Sequence, residues 1–198
     1  MNLGIGLSGA HRTGKSSLVK LFSDKYKIPY VETQVSKIIS SLGFSSNVNY
    51  DISTRIDIQT EVLKETLKLW ESQTTEFITD RTPIDMAGYM IANATQGELN
   101  KEFDEKFQEY IDKCKEITNK FFGKIIVIPP AIPIVESEGK ANSTKTYIGH
   151  IACVISGFIQ LNKQDMPNVA FDLMPNSVLT YSERLAYVSY VRNFRNIY

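Results

Sequence analysis

The segment Gly9-Ala-His-Arg-Thr-Gly14-Lys15-Ser16 decides how this 198-residue chain folds and what kind of ligand it can hold. Its spacing is G-x-x-x-x-G-K-S, in which the two glycines let the backbone curl so that successive N–H groups point at one anion. The lysine of such a loop reaches the β- and γ-phosphates of a nucleotide, and the next hydroxyl binds Mg²⁺. We therefore predict a phosphate loop for a nucleoside triphosphate, with these candidate binding residues: Gly9, Arg12, Thr13, Gly14, Lys15, Ser16 and Ser17.

The residues on either side of this phosphate loop have the pattern that its chemistry requires. Residues 3–7 form a short apolar run typical of a buried strand, and residues 16–23 place Leu18, Val19 and Phe22 at helical spacing. A helix that starts at the loop adds the positive end of its dipole to the anion site. The order strand, loop, helix therefore supports the prediction of phosphate binding.

Strand and helix patterns alternate along the rest of the chain. Apolar runs predict further strands at 28–31, 76–80, 124–128 and 169–173. Helical spacing predicts helices at 33–42, 54–72, 101–122, 147–161 and 180–194, and another that starts at Pro83. Five strands separated by helices indicate an α/β fold in which helices cover both faces of a parallel sheet. The length suits one domain, residues 1–198, with a lid at 129–149.

The charge balance restricts the kinds of partner. Lys plus Arg number 22 and Asp plus Glu number 22, so the formal net charge is zero. A non-specific nucleic-acid binder needs a basic surplus to displace counterions from phosphates, so this class is disfavoured. A local basic face on the last predicted helix, formed by Arg184, Arg192 and Arg195, keeps nucleic acid open as an alternative. The 42% hydrophobic and 11% aromatic content excludes an acidic disordered chain.

Other compositional features exclude further classes. Two cysteines without a C-x-x-C spacing and two histidines do not suit a zinc site, and Cys114 and Cys153 are expected to be buried reduced thiols. The N-terminus lacks the basic and long apolar segments of a signal peptide. The longest apolar stretch, residues 125–135, is too short to span a bilayer. We expect a soluble, cytoplasmic protein that does not bind membranes.

A second group of candidate residues follows the predicted strand at 76–80. Asp80 lies at its carboxyl end, where a ligand of Mg²⁺ and its waters or a catalytic base is expected beside a phosphate loop. Arg81 can bind a phosphate through its planar guanidinium, and the alternative for this pair is a surface ion pair. Asp85 comes three residues after Thr82, so it either completes a helix cap, which is favoured, or contacts a substrate.

Two more charged residues are candidates for the acceptor side of a cleft. Glu32 ends the predicted strand at 28–31, and its carboxylate can deprotonate an acceptor hydroxyl. The alternative for Glu32 is a charge at the N-terminus of the next helix. Arg55 belongs to an aromatic and polar stretch, residues 44–59, that can line an acceptor pocket, and its alternative is a solvent-facing position on a helix.

Together, the phosphate loop, Glu32 at a strand end, the run from Asp80 to Asp85 and the late lid resemble P-loop kinases of nucleosides and nucleotides. The ribosylnicotinamide-kinase-like and phage-encoded members are the most similar. The resemblance implies a P-loop NTPase fold with a five-stranded parallel sheet of order 2-3-1-4-5, ATP as phosphate donor, and Mg²⁺ held at Ser16 and Asp80. It also implies that Glu32 is the base for the acceptor hydroxyl and that Asp80 and Arg81 manage metal waters and phosphates.

The lid departs from the family pattern, because lids of these kinases often carry several arginines and residues 129–149 contain none. Lys140 and Lys145 can replace the missing cations, but lysine lacks the bidentate fork of arginine.

The leading functional hypothesis is transfer of the γ-phosphate of ATP to a nucleoside or nucleotide. One alternative is a phage-type kinase of hydroxymethylated uracil bases in DNA, and another is a switch module that binds and hydrolyses ATP without a small-molecule acceptor. The oligomeric state stays open. The candidate catalytic residues are Lys15, Glu32, Asp80 and Arg81, and the candidate acceptor contacts are Arg55, Asp85 and Lys140.

Overall fold

A computed structural model describes residues 3–45, 48, 50–94, 101–133 and 144–194. In this part of the chain, four strands form one parallel sheet of order β2-β1-β3-β4. The strands are β1 (Gly4–Ser8), β2 (Phe77–Thr79), β3 (Phe122–Val127) and β4 (Ala170–Leu173). The predicted α/β class with a parallel sheet is therefore confirmed.

The sheet has four strands, whereas five were predicted. The predicted strand at 28–31 is reduced to one bridge, in which Tyr30 pairs in parallel with Ile78. The Val31 amide donates to Ile78 O and the Ile78 amide to Pro29 O, each at 2.9 Å. Because Pro29 has no N–H to donate, the pairing does not extend into a ladder. The bridge nevertheless lies beside β2, which is the edge implied by the order 2-3-1-4-5.

Within the ranges that the structure describes, seven α-helices connect and flank the strands. They are α1 (Lys15–Tyr26), α2 (Val35–Ser41), α3 (Ile52–Glu71), α4 (Pro83–Asn93), α5 (Lys101–Phe121), α6 (Lys145–Asn162) and α7 (Tyr181–Asn193), with a short 3₁₀ helix at Lys163–Asp165. Helix α6 already begins at Lys145, within the segment 129–149 that was predicted as a lid. The Thr144 hydroxyl caps this helix by accepting the Tyr147 amide at 3.1 Å. Residues 134–143 lie outside the described residues, and Lys140 is among them.

Helices cover both faces of the sheet, as predicted. Side chains on a strand alternate between its faces, so Ile126 and Ile128 pack with α1 and α7, whereas Ile125 and Val127 pack with α3 to α6. In the described residues no helix is long and apolar enough to cross a membrane. Both cysteines are free, but only Cys114 is buried and Cys153 is exposed on α6, so the prediction of two buried thiols is wrong for Cys153.

The parallel sheet brings the candidate residues to one edge. Strands β1 and β2 run side by side in the same direction, with Gly6 opposite Thr79, so their carboxyl ends meet. The phosphate loop follows β1, and Asp80 follows β2 directly. Ligands of open α/β sheets bind beyond the carboxyl ends of such strands.

Candidate active site

The phosphate loop has the curled backbone that its glycines predict. Gly9 and Gly14 have positive φ angles of 134° and 84°, and a Cβ atom at Gly9 would lie 2.5 Å from the Ile128 carbonyl oxygen. An L-residue is therefore strained at both positions. Arg12, between them, also has a left-handed backbone with φ 61°. Helix α1 begins at Lys15, directly after Gly14, so its amino end faces the loop as the sequence predicted.

Lys15 is folded against the inside of this loop. Its Nζ donates to the carbonyl oxygens of Gly9 at 2.7 Å and Ala10 at 2.6 Å, and the residue is 7% exposed. Burial lowers the pKa of Lys15 to about 8, against the opposite effect of Asp85 and Asp80. An anion bound in the loop would be a stronger partner for this buried cation than the two carbonyl oxygens.

Ser16 and Asp80, the two predicted metal ligands, are in direct contact. The Ser16 hydroxyl donates a hydrogen bond to Asp80 Oδ2, and both side chains line the same cleft. Mg²⁺ prefers hard oxygen ligands and is usually held by one or two protein groups together with substrate phosphates and waters. The donor set at the loop therefore fits this ion.

Asp85 lies beneath the loop and does not line the cleft. Its Oδ1 accepts the Ser8 hydroxyl at 2.9 Å and the Gly9 amide at 2.6 Å, and its Oδ2 accepts the Thr82 amide at 2.8 Å. The residue has no exposed surface. The predicted capping box with Thr82 is confirmed. The alternative, a contact between Asp85 and a substrate, does not agree with the position of this carboxylate, because Asp85 does not line the cleft. Asp85 instead joins helix α4 to the start of the phosphate loop.

Replacing Asp85 with alanine should lower the free energy of unfolding by about 2–4 kcal/mol, because buried donors of Ser8, Gly9 and Thr82 all lose their acceptor. Denaturant unfolding followed by circular dichroism measures this. Glu183→Ala is the matched control, since Glu183 completes a second capping box that is exposed, and its loss should cost about 1 kcal/mol or less. Equal losses for both variants would contradict the structural role assigned to Asp85.

Tyr89 is a cleft residue that the sequence reasoning missed. Its hydroxyl accepts the His11 backbone amide at 2.7 Å and lies 2.7 Å from His11 Nδ1, and the Arg81 guanidinium carbon lies 5.2 Å from the centre of its ring. Tyr89 thus connects the phosphate loop with the predicted phosphate-binding arginine. The only available signal was its position four residues after Asp85, on the same face of helix α4.

His11 is held in a partly buried position between aromatic rings. Its ring centre is 6.0 Å from that of Tyr89 and 5.9 Å from that of Tyr147. Burial is the main cause that lowers the pKa of His11 to about 4, and the cations of Lys15, Arg81 and Arg12 add to it. His11 is therefore neutral at physiological pH, in agreement with its packing.

This shift of the His11 pKa predicts a pH dependence of stability. Between about pH 6.5 and pH 4 the unfolded chain binds a proton at His11 that the folded chain does not, so stability falls as the pH decreases through this range. In His11→Gln this contribution is absent, and the free energy of unfolding should decrease less than in the wild type. Urea unfolding at several pH values measures it, with His150→Gln, the other histidine, as control. Parallel curves for His11→Gln and the wild type would contradict the prediction.

The predicted acceptor-side residues face the same cleft as the phosphate loop. Glu32 is exposed there, and its Oε2 accepts from Gln34 Nε2 at 3.2 Å. Arg55 lines the cleft from helix α3, and its Nη1 donates to the Asn93 carbonyl at 2.5 Å. Arg55 therefore faces the cleft, and the alternative that it is a solvent-facing helix residue is not supported. Lys140 lies outside the described residues.

The cleft has a volume of about 1530 Å³. Pockets for one drug-sized ligand usually measure about 300–1000 Å³, so there is room for a donor and an acceptor together. The phosphate loop, Tyr181 and residues of α2, α3 and α4 all line it. Representative lining residues are Arg12, Gly14, Ser16, Glu32, Tyr50, Arg55, Gln59, Asp80, Arg81, Tyr89 and Tyr181.

The basic face that would suit nucleic acid does not form from the described part of helix α7. Arg184 is 1% exposed, and Arg192 binds Glu76 through two of its nitrogens, with Nη2 at 2.7 Å from Oε2. Arg195 lies outside the described residues.

A sheet of this order, with a phosphate loop after β1 and an acid after the adjacent β2, defines a P-loop NTPase fold. The family model described as an AAA domain matches residues 5–114, and the chain belongs to this family. Comparison with curated proteins found no match in sequence.

Many solved structures are similar to this chain, among them three that cover most of it. Deoxyadenosine kinase from M. mycoides with bound dCTP has a TM-score of 0.67 at 15% identity, covering 96% of this chain and 100% of the kinase. NadR protein in complex with NAD and AMP-PNP has a TM-score of 0.64 at 12% identity and covers 98% of this chain, which spans half of NadR (50%). Thymidylate kinase from Candida albicans has a TM-score of 0.55 at 13% identity, with coverages of 96% and 90%. The resemblance to P-loop nucleoside and nucleotide kinases is thus confirmed for the fold.

Proposed function

We propose that the protein is a phosphotransferase that moves the γ-phosphate of ATP to a nucleoside or nucleotide. The observation that carries this proposal is that Glu32 and the pair Asp80–Arg81 face one cleft that begins at the phosphate loop. A module that only binds ATP needs no carboxylate in the cleft beyond a metal ligand such as Asp80. A phosphotransferase needs such a further carboxylate to prepare its acceptor.

The donor end of the cleft matches the requirements of a triphosphate. Backbone N–H groups of the loop and the amino end of α1 provide positive potential, and Lys15 adds a buried charge that neutralises developing negative charge on the transferred group. Mg²⁺, when bound at Ser16 and Asp80, would offset charge on the β- and γ-phosphates. Arg81, held over the Tyr89 ring, is positioned to contact the same phosphates with its planar fork.

The acceptor end is better suited to a hydroxyl than to a phosphate monoester. A neutral hydroxyl becomes a good nucleophile when a carboxylate removes its proton, whereas a phosphate is already ionised and is repelled by a carboxylate. Glu32 supplies the carboxylate, and Tyr50, Arg55 and Gln59 offer an aromatic ring and polar groups for a base and sugar. We therefore favour a nucleoside as acceptor. The name of the deoxyadenosine kinase of similar fold supports a nucleoside acceptor, whereas that of the thymidylate kinase supports a nucleoside monophosphate, so the assay below includes both.

The test is incubation of the protein with γ-labelled ATP, Mg²⁺ and a panel of nucleosides, nucleoside monophosphates and DNA that contains hydroxymethyluracil. Label on a nucleoside is the expected result. Label on a monophosphate would support a phosphotransferase whose acceptor is a nucleotide and not a nucleoside. Label on the DNA alone would replace the small-molecule acceptor by a polymer. Label released only as inorganic phosphate, with every acceptor, would overturn the proposal in favour of a switch module.

A further inference from the structure

Arg184 on helix α7 is a buried cation next to the phosphate loop that the proposed chemistry has not used. It is 1% exposed, and in the described residues no carboxylate forms an ion pair with it. Its Nη2 is buried without a hydrogen-bond partner. A buried guanidinium without a counter-charge is costly, so its location calls for a physical reason.

The contacts of Arg184 point to the loop itself. Its Nη1 donates to the Thr13 carbonyl oxygen at 2.8 Å, and its Nε donates to Val178 O at 3.1 Å. A Cβ atom at Gly14 would lie 3.7 Å from Arg184 Nη1 and 3.8 Å from the Tyr181 hydroxyl. The guanidinium therefore lies directly behind the peptide unit that joins residues 13 and 14.

The orientation of that peptide unit determines where an amide of the loop points. In a trans peptide the C=O and N–H groups point in opposite directions, and the described chain has no cis peptide bond. Because Arg184 holds the Thr13 carbonyl on the α7 side, the Gly14 N–H is turned toward the other side. Gly14 lines the cleft. The Thr13 hydroxyl, which donates to the Ala10 carbonyl at 2.9 Å, fixes the same turn from within the loop.

We propose that Arg184 is a positioning residue of the donor site, which sets the Thr13–Gly14 peptide so that the Gly14 N–H faces the triphosphate. On the α7 side of the loop, the Arg184 charge forms an ion pair with no carboxylate of the described residues, so a bound polyphosphate is the anion it stabilises. This inference rests on the proposed function, since it takes the loop as the ATP site. It adds a residue 171 positions away from Thr13 in the chain to that site.

Three variants test this inference. Arg184→Met removes the planar guanidinium and its charge but keeps a side chain of similar length. Arg184→Lys keeps the charge but loses the geometry of the hydrogen bond to the Thr13 carbonyl. Arg192→Met is the matched control, because Arg192 is on the same helix and bonds to Glu76. The measurements are the Kd of ATP-Mg²⁺ by calorimetry below the melting temperature, the Tm with and without ATP, and KM and kcat with the best acceptor.

Arg184→Met is expected to raise the Kd of ATP by about tenfold or more, as the loss of a charge-assisted hydrogen bond implies, and to reduce the rise in Tm that ATP produces. Arg184→Lys should fall between this variant and the wild type, with KM for the acceptor unchanged in both. Arg192→Met should lower Tm and leave the Kd of ATP within about twofold.

The outcomes separate the two proposals. If the wild-type protein binds ATP and the Arg184 variants bind it equally well, the positioning role is overturned and the proposed function stands. If the wild type does not bind ATP, the proposed function fails. Should Arg184→Met not fold, Arg184→Lys decides, because an unchanged Kd in that variant contradicts the requirement for the fork at Thr13.

Discussion

Replacing Lys15 with alanine is expected to lower kcat/KM for phosphate transfer by roughly 10³-fold, the order found when one preorganised charge-stabilising group is removed. The ammonium of Lys15 is buried inside the phosphate loop, where it is held by two carbonyl oxygens of that loop. In the proposed reaction, charge that develops on the transferred phosphoryl group would be met by a cation in a place with little water to screen it. Steady-state kinetics with ATP as the varied substrate measures the loss.

A second substitution of the same residue, Lys15→Met, is expected to lower activity without lowering stability, and this separates function from folding. Burial lowers the pKa of Lys15 to about 8, so the charged form is disfavoured in the folded protein without ligand. Lys15→Met, which keeps the side-chain volume and removes the charge, should therefore unfold at the same Tm as the wild type or higher while it loses activity. Lys20→Ala, on the exposed side of α1, is the control and should leave both quantities unchanged. An active Lys15→Ala variant would defeat the assignment of the loop.

Local features of the sequence predicted the fold class, the shape of the phosphate loop and the two helix caps correctly. The phosphate loop and both capping boxes, at Thr82 and at Thr180, depend on residues within eight positions of each other, and their geometry follows from that spacing. The prediction of a strand at 28–31 was wrong for a local reason as well. The apolar run correctly indicates burial, but Pro29 removes a hydrogen-bond donor, so only an isolated bridge forms.

The rest of the site depends on contacts between distant residues, for which one sequence carries no signal. Arg184 reaches Thr13 across 171 positions, and Tyr89 reaches His11 across 78. The polar ends of arginine and tyrosine side chains on a helix can equally well face solvent, so only the packing of α7 and α4 shows that these two residues contact the loop. Asp80 and Asp85 illustrate the same limit. The two acids are five positions apart, and the structure alone shows that one lines the cleft and the other lies beneath the loop.

Replacing Glu32 with glutamine should lower kcat for a nucleoside acceptor by about 10²- to 10⁴-fold, the usual contribution of a general base. The substitution keeps the shape of the side chain and its contact with Gln34, and it removes only the ability to accept a proton. The Kd of ATP should stay within about twofold, because Glu32 contacts no described residue of the phosphate loop through a hydrogen bond. Calorimetry with ATP-Mg²⁺ and product assays with saturating nucleoside measure the two quantities.

Glu32 is either a general base or a charge that stabilises helix α2, and Glu32→Gln should change kcat in the first case and Tm in the second. As a charge ahead of helix α2, Glu32 would stabilise the helix dipole by about 0.3–1 kcal/mol, so glutamine would lower Tm slightly and leave kcat intact. As the base, it would leave Tm intact and lower kcat. Glu61→Gln, which breaks an exposed pair with Lys64 on α3, is the control for the removal of one surface charge. A monophosphate acceptor tests the chemistry further, because an already ionised nucleophile needs no base, so transfer to it should be far less sensitive to Glu32→Gln than transfer to a hydroxyl.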